Sequence, residues 1–168
     1  SMNIVKKIKW GSSTPIANTF MAGQFPQFDG QLYINSEFGL LDASQGPDTR
    51  LMIAILKKYA PKIAPQAFGQ MGFMDAKFAT TALLNVKGAV TAASYNKAAR
   101  GLKNVKTDML CKPWYVGKLP YHIPNNTDIT VDYKDGKVVK KEGCIDIAAV
   151  DKELAQTRVW EKKFKLNT

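Results

Sequence analysis

The sequence predicts an α/β fold of three layers, α/β/α, with a β-hairpin late in the chain. The first observation is an apolar run from Gln66 to Val86 that holds only two charges, Asp75 and Lys77. A helix that is apolar almost all round is usually buried on most of its surface, so we expect it to lie against a sheet. The extended Ala67-Phe68-Gly69 leads into it as a short strand. The second observation is Lys134-Asp135-Gly136-Lys137, the strongest hairpin signal in the chain.

The first third of the chain predicts two strands. Ile4 to Trp10 forms the first, which ends in a stretch of small hydroxyl residues. Thr14 is then expected as the N-cap of a helix, with Pro15 at the first helical position. Asp29-Gly30 forms a turn, and Gln31 to Phe38 forms the second strand.

Three helices are expected in the middle. Asp48 opens an amphipathic helix that runs to Tyr59 and is stopped by Pro61. Its predicted inner side consists of Leu51, Met52, Ile55, Leu56 and Tyr59. The central helix ends at Gly88, and a shorter helix covers Thr91 to Lys103.

The last third mixes irregular segments with the hairpin. Cys111 to Tyr121 carries aromatics and prolines and is expected as irregular strand and loop. The hairpin occupies residues 129–141, with Ile129 to Tyr133 as its first strand and Val138 to Lys141 as its return. Asp146 to Lys165 has helical character.

The chain is strongly basic, with a net charge of +10. Such a charge raises the possibility of nucleic-acid binding. The lysines, however, are spread along the whole sequence, without an arginine cluster or alternating aromatics, so a solvated basic surface is favoured. No apolar run approaches the length that would span a bilayer.

The two cysteines, Cys111 and Cys144, have two interpretations. They are buried thiols in a reducing compartment, or a single disulfide in an exported protein. With His122 as the only histidine and no CxxC, a metal site is not expected. A cysteine enzyme built on Cys111, His122 and Asp128 or Asp132 is disfavoured, because nothing places a base within reach of the thiol.

Two stretches are candidates for binding a ligand. Ser12, Ser13 and Thr14 follow the first strand and can offer hydroxyl and backbone N–H groups. The junction from Phe68 to Phe73 leads from a predicted strand into a helix, and open α/β sheets bind ligands at the carboxyl ends of strands. Glu37 and Asp42 are a further conceivable carboxylate pair, although nothing in the sequence fixes their separation.

The order and spacing of several segments resemble one known family. The matching segments are Trp10-Gly11-Ser12-Ser13, the Asp29-Gly30 turn with its following strand, Lys58-Tyr59-Ala60-Pro61, the run from Phe68 to Ala76, and Asp132 to Lys137. Together they resemble the C-terminal part of type I periplasmic solute-binding proteins of ABC importers, in the branched-chain amino acid (Leu/Ile/Val-binding) group. The resemblance extends from about Lys7 to Glu142.

The resemblance implies a periplasmic-binding-protein-like fold of two α/β lobes, of which this chain is a fragment. Residues 3–38 would belong to the second lobe, residues 39–119 to the first, and residues 120–168 would return to the second. Such a fragment would expose strand edges, which favours pairing with another copy in a homo-oligomer.

The resemblance also implies a function. The chain would be a binding protein and not an enzyme, without a cofactor, closing around a small polar ligand and docking on a membrane ABC permease. Ser13 stands where amino-acid-binding members have an acidic residue, so an organic or aromatic acid is as well supported as an amino acid. Phe68 matches an aromatic ligand contact, and Gln70 and Phe73 are further candidates.

An exported, periplasmic location follows from the same resemblance, and it favours a Cys111–Cys144 disulfide. Two other functions stay open at this point. One is a ligand-sensing regulatory domain of the same fold. The other is a small basic nucleic-acid-binding protein.

Overall fold

A computed structural model describes residues 8–41, 45–117 and 127–166. Its sheet has four strands in the order β1-β2-β3-β4, with bounds Trp10–Ser13, Leu32–Ser36, Thr127–Lys134 and Lys137–Asp146. β1 and β2 are parallel, whereas β2–β3 and β3–β4 are antiparallel. The fold is therefore mixed α/β, as predicted. No helix among the described residues is long and apolar enough to cross a membrane.

The predicted hairpin joins β3 to β4. Asp135 and Gly136 have φ angles of 51° and 69°, the positive values that a type I′ turn requires at both central positions. The pairing continues from Lys134↔Lys137 to Thr127↔Asp146 and shifts register near Thr130. The hairpin prediction is confirmed, and the strands are longer than expected.

One face of the sheet is covered by the first helices and forms a buried apolar cluster. Its fully buried members are Ala22, Leu32, Ile34, Ile129, Val131 and Tyr133. The alternation of Leu32 and Ile34 places both on this face. Asp132 is buried beside the cluster, where it accepts N–H groups of Leu32 and Tyr133 and pairs with Lys141 at 2.8 Å. The buried charge is thus compensated.

The N-terminal part differs from the prediction. Residues 1–7 lie outside the described residues, and the observed strand β1 begins at Trp10 and runs through the hydroxyl stretch to Ser13. The expected N-cap at Thr14 is wrong, because Thr14 is the first residue of a 3-10 turn, Thr14–Ile16. The following helix, α1 (Thr19–Gln24), is capped by Asn18 instead, whose side chain accepts the N–H of Met21.

Helix α2 spans Pro47–Tyr59, close to its predicted bounds. Its predicted inner face is confirmed at Met52 and Leu56, which pack in an apolar cluster, and is wrong at the other three positions. Leu51, Ile55 and Tyr59 are 52%, 41% and 72% exposed, whereas Thr49 and Met52 are buried. The physical reason is Asp108. Its carboxylate accepts the N–H groups of Asp48 and Thr49 and the Thr49 hydroxyl, which turns Thr49 inward and fixes the phase of the helix.

Helix α3 spans Ala67–Leu84, so the strand predicted at Ala67-Phe68-Gly69 is wrong. Its buried stripe consists of Ala67, Gln70, Met74, Phe78 and Ala82. Met74 and Phe78 of this stripe pack not on the sheet but in a second apolar cluster with α2, Phe38 and Met109. The Phe78 ring stacks on Trp114 with centroids 3.9 Å apart. Only one stripe is buried because α2, α4 and the connecting segment from Val105 to Tyr115, not a broad sheet, cover this helix.

The remaining helices are α4 (Ala92–Arg100), α5 (Ile147–Val150) and α6 (Ala155–Phe164). α4 begins at Thr91 with a capping box, in which the Thr91 hydroxyl accepts the N–H of Ser94 at 3.1 Å. α6 supplies Glu161, which is buried and accepts the hydroxyl of Tyr115 at 2.9 Å. The tail is therefore helical in part, as predicted. The division into lobes at residues 38 and 119 stays a prediction.

Candidate functional site

The carboxyl ends of the parallel strands β1 and β2 lie side by side, with Ser13 opposite Asn35. The Thr14 hydroxyl ties them together, since it donates to the carbonyl of Asn35 at 3.3 Å and accepts the N–H of Glu37 at 3.4 Å. This register brings Glu37, the first residue after β2, next to the hydroxyl residues that follow β1. Parallel strands place their carboxyl ends at one edge, where α/β proteins commonly bind ligands.

A cavity of about 230 Å³ opens at this edge, and we name it the strand-end cleft. It is lined by Ser13, Thr14, Pro15, Glu37, Ala67, Phe68 and Met71. The sheet side supplies two hydroxyls and a carboxylate, and the side formed by α3 is apolar. The cleft therefore combines polar groups that can orient a ligand with surface that can cover an apolar group.

The helical side of the cleft is the first turn of α3. Gln66 is the N-cap and makes no side-chain capping bond. The amides of this turn carry the partial positive charge of the helix N-terminus. The Phe68 ring is 59% exposed, so it is accessible to a molecule in the cleft.

A second cavity, of about 250 Å³, adjoins the hairpin, and we name it the hairpin-side cavity. Gln70 lies here and not in the strand-end cleft, and its amide donates to the Gly39 carbonyl at 2.9 Å. Gln70 is 2% exposed. The observed contact of Gln70 is thus with the chain itself.

The six predicted ligand residues are therefore divided. The structure brings Ser13, Thr14 and Phe68 together in one cleft. Ser12 is exposed in β1 and does not line the cleft, and Phe73 packs against the apolar cluster of α2 and α3. Residues 67 and 68 are helical and not extended, which places Phe68 at the cleft and turns Phe73, more than a helical turn later, toward α2.

Glu37 is the cleft residue that sequence reasoning does not assign to the ligand site. The sequence places it inside a strand ending at Phe38 and pairs it only with Asp42, which lies outside the described residues. The observed β2 ends at Ser36, so Glu37 is free of the ladder and reaches the cleft. One signal in the sequence could have identified Glu37 as a ligand residue. It is a polar residue that directly follows a predicted buried strand with a parallel neighbour.

The two cysteines form a disulfide, Cys111–Cys144, with Cα atoms 5.7 Å apart. It joins the segment before Trp114 to strand β4. Lys112 adds an ion pair to Asp146 at 2.7 Å, and Arg158 of α6 pairs with the same carboxylate. Burial and the neighbouring positive charge of Arg158 lower the pKa of Lys112. These contacts fasten the connecting segment to the sheet.

Neither thiol chemistry nor a metal site is assembled in the part of the chain that the structure describes. Neither cysteine is a free thiol there, and no group of three metal-ligating side chains occurs within residues 8–41, 45–117 and 127–166. His122 lies outside those residues. Burial raises the pKa of Asp128, but this carboxyl does not line the strand-end cleft.

Comparison with known proteins bears on the fold. No protein-family model matches the sequence, and the curated proteins give no significant match. The chain is similar in structure to a fatty acid ABC transporter substrate-binding protein from Thermomonospora curvata, with a TM-score of 0.62 and 15% sequence identity. The match covers 91% of this chain and 46% of that one, so the chain spans about half the length of its structural neighbour. At this identity the likeness shows the fold, and the chain has part of a periplasmic-binding-protein-like α/β fold.

Proposed function

We propose that this chain is part of the substrate-binding component of an ABC-type importer and that it holds a small polar solute in the strand-end cleft. The observation that carries this proposal is the convergence of Ser13, Thr14, Glu37 and Phe68 on one cavity at the ends of parallel strands. The likeness to a substrate-binding protein supports the same function. The proposed activity is binding, and we assign it no chemical reaction.

The charges of the cleft favour a zwitterionic ligand. Glu37 is exposed and forms no ion pair with any described residue, so its carboxylate is available to an ammonium group. The amides of the first turn of α3 favour a carboxylate. Phe68 and Met71 offer apolar surface. An amino acid with an apolar side chain carries all three groups.

Glu37 also distinguishes the competing ligands. Glu37 supplies a negative charge that the Ser13 hydroxyl lacks, although Glu37 follows β2 whereas Ser13 is the last residue of β1. A simple organic or fatty acid would bring its only charge toward a carboxylate of the same sign. The structural neighbour is described as a fatty acid binding protein, and this cleft favours an amine-bearing ligand over a fatty acid. The branched-chain amino acid group remains the proposed subfamily.

The proposed mechanism is closure of two lobes around the ligand, which shifts the open–closed population by the differential affinity of the ligand for the two states. The closed form would dock on a membrane permease. An exported location agrees with the disulfide, because disulfides persist in oxidising compartments. β1 and β4 lie at the edges of the described sheet and are the proposed sites of homo-oligomer contacts.

Calorimetry on the 168-residue chain tests the ligand class directly. We expect leucine or phenylalanine to bind, and 4-methylpentanoate, which is leucine without its amine, to bind about ten- to a hundredfold more weakly, as expected for losing a charge-assisted hydrogen bond. Glu37→Gln should remove most of this difference, whereas Glu142→Gln, an exposed control on β4, should preserve it. Equal affinity of the strand-end cleft for leucine and 4-methylpentanoate, followed by NMR shifts at Thr14 and Phe68 so that binding in the hairpin-side cavity is not counted, or the absence of binding there by any of the ligands, would refute the proposal.

A further inference from the structure

The hairpin-side cavity is separate from the strand-end cleft. The segment 36–39 runs between the two cavities. Glu37 lines the cleft, whereas Ser36 and Phe38 line the hairpin-side cavity, and Ala67 of α3 lines both. The opposite wall comes from β3 and β4, through Val131, Lys137 and Val138. A molecule in this cavity would therefore contact the sheet and α3 without entering the cleft.

The polar groups around the cavity are mostly engaged with the chain itself. The Ser36 hydroxyl donates to the Phe38 carbonyl, and the Gln70 amide donates to Gly39, both at 2.9 Å. The Asn18 side chain donates to Pro15 and accepts the N–H of Met21. These groups stabilise the walls and leave little hydrogen-bonding capacity for a neutral polar ligand.

Lys137 is the exception. It is exposed, lines the cavity, and forms no ion pair with any acidic residue within the described ranges. Among the residues that the structure describes, no aspartate or glutamate lines the cavity. Apolar side chains share the wall with the polar groups described above, and they include Phe38, Leu40, Leu41 and Val138. A lysine beside this apolar part of the wall matches a ligand with one negative charge and a short apolar body.

The size of the cavity limits the ligand. Its volume of about 250 Å³ lies just below the range of roughly 300–1,000 Å³ that is typical of drug-sized ligands. We propose that the hairpin-side cavity is a second binding site, which takes a small monocarboxylate with a short apolar chain and holds its carboxylate on Lys137. This inference does not depend on the function proposed for the strand-end cleft.

Titration with hexanoate, followed by NMR shifts and calorimetry, tests the second site. Hexanamide serves as the neutral probe of the same shape. We expect saturable hexanoate binding with shifts at Val131 and Val138, and binding of hexanamide at least about tenfold weaker, the loss expected for one charge-assisted contact. Lys137→Gln should weaken hexanoate binding by a similar factor.

Lys134→Gln is the matched control, because Lys134 flanks the same turn and does not line the cavity. It should bind hexanoate as the wild type does, and so should Glu37→Gln, which alters only the cleft. Equal weakening by Lys134→Gln and Lys137→Gln would mean a general charge effect and would overturn the proposal. Equal affinity for hexanamide and hexanoate, shifts confined to the strand-end cleft, or the absence of saturable binding would overturn it as well.

Discussion

Asp108 caps helix α2 from a loop 60 residues further along the chain. One carboxylate oxygen accepts the N–H of Asp48 at 2.8 Å, and the other accepts both the N–H and the hydroxyl of Thr49, at 3.1 and 2.6 Å. The helix has no side-chain cap of its own, because its N-cap residue is Gly46. The position and phase of α2 should therefore depend on this single carboxylate.

The cost of replacing Asp108 by alanine can be worked from these contacts. Loss of an N-cap costs about 0.5–2 kcal/mol. The Thr49 hydroxyl, on a residue that is 1% exposed, would remain buried without its partner, which adds about 1–3 kcal/mol. We expect Asp108→Ala to lower the free energy of unfolding by about 2–4 kcal/mol.

The effect should depend on pH. Burial raises the pKa of Asp108, but the hydrogen bonds from Thr49 and Asp48 outweigh burial and lower the pKa below its ordinary value of 3.8. Because the folded-state pKa lies below the unfolded one, the carboxylate stabilises the fold fully above the unfolded pKa. This stabilisation is lost as the pH falls through the folded pKa. The difference between the wild type and Asp108→Asn should therefore be constant near neutral pH and shrink below about pH 3.8.

Urea unfolding followed by circular dichroism measures these differences with the disulfide intact. Asp75→Asn is the matched control, since Asp75 is exposed on α3, and it should change the unfolding free energy by less than about 0.5 kcal/mol. An Asp108→Ala effect as small as that of the control, or an Asp108→Asn effect that stays the same in acid, would show that α2 is fixed by something else.

Two further perturbations test the packing and the cross-link. Phe78→Ala removes a ring that is stacked on Trp114 in the buried cluster, and it should lower the free energy of unfolding in urea by about 3–5 kcal/mol. The control Leu84→Ala, at an 80% exposed site, should lower it by less than about 0.5 kcal/mol. Similar losses for the two variants would contradict the assigned core. Replacing Cys111 and Cys144 together by serine removes a bridge between residues 33 apart and should cost roughly 3–4 kcal/mol in the chain-entropy model. Chemical reduction of the wild type should have a comparable effect, and resistance of its unfolding midpoint to reduction would count against the bridge.

Features fixed by neighbouring residues could be predicted from the sequence. The hairpin depends on Asp135-Gly136, a pair that favours the two positive φ angles of a type I′ turn. The end of α2 depends on Pro61, which cannot continue a helix. Strand β2 is recognisable for the same reason, because its burial pattern alternates along the strand.

Features fixed by distant residues could not be predicted in this way. Leu51 and Thr49 are equally plausible inner positions until Asp108, which belongs to another loop, selects Thr49. The Ala67-Phe68-Gly69 stretch suits a strand locally, yet tertiary packing of Ala67 draws it into α3. Glu37 gained its place in the cleft only through the pairing of β1 with β2. The charged member of the site therefore depended on topology.

The sheet has a consequence for how this chain folds. β2 pairs with β3 across most of the chain, and the Asp132 carboxylate accepts an N–H from Leu32, 100 residues earlier. During synthesis, β1 and β2 leave the ribosome before β3, and β2 cannot pair with β3 until the intervening helices and loops have been synthesised. Leu32 and Ile34 stay uncovered on one side during that delay, and the β2 edge stays unpaired. Such long-range pairing slows folding and exposes an edge to other chains. The interval before β3 arrives is thus when this protein is most vulnerable to aggregation.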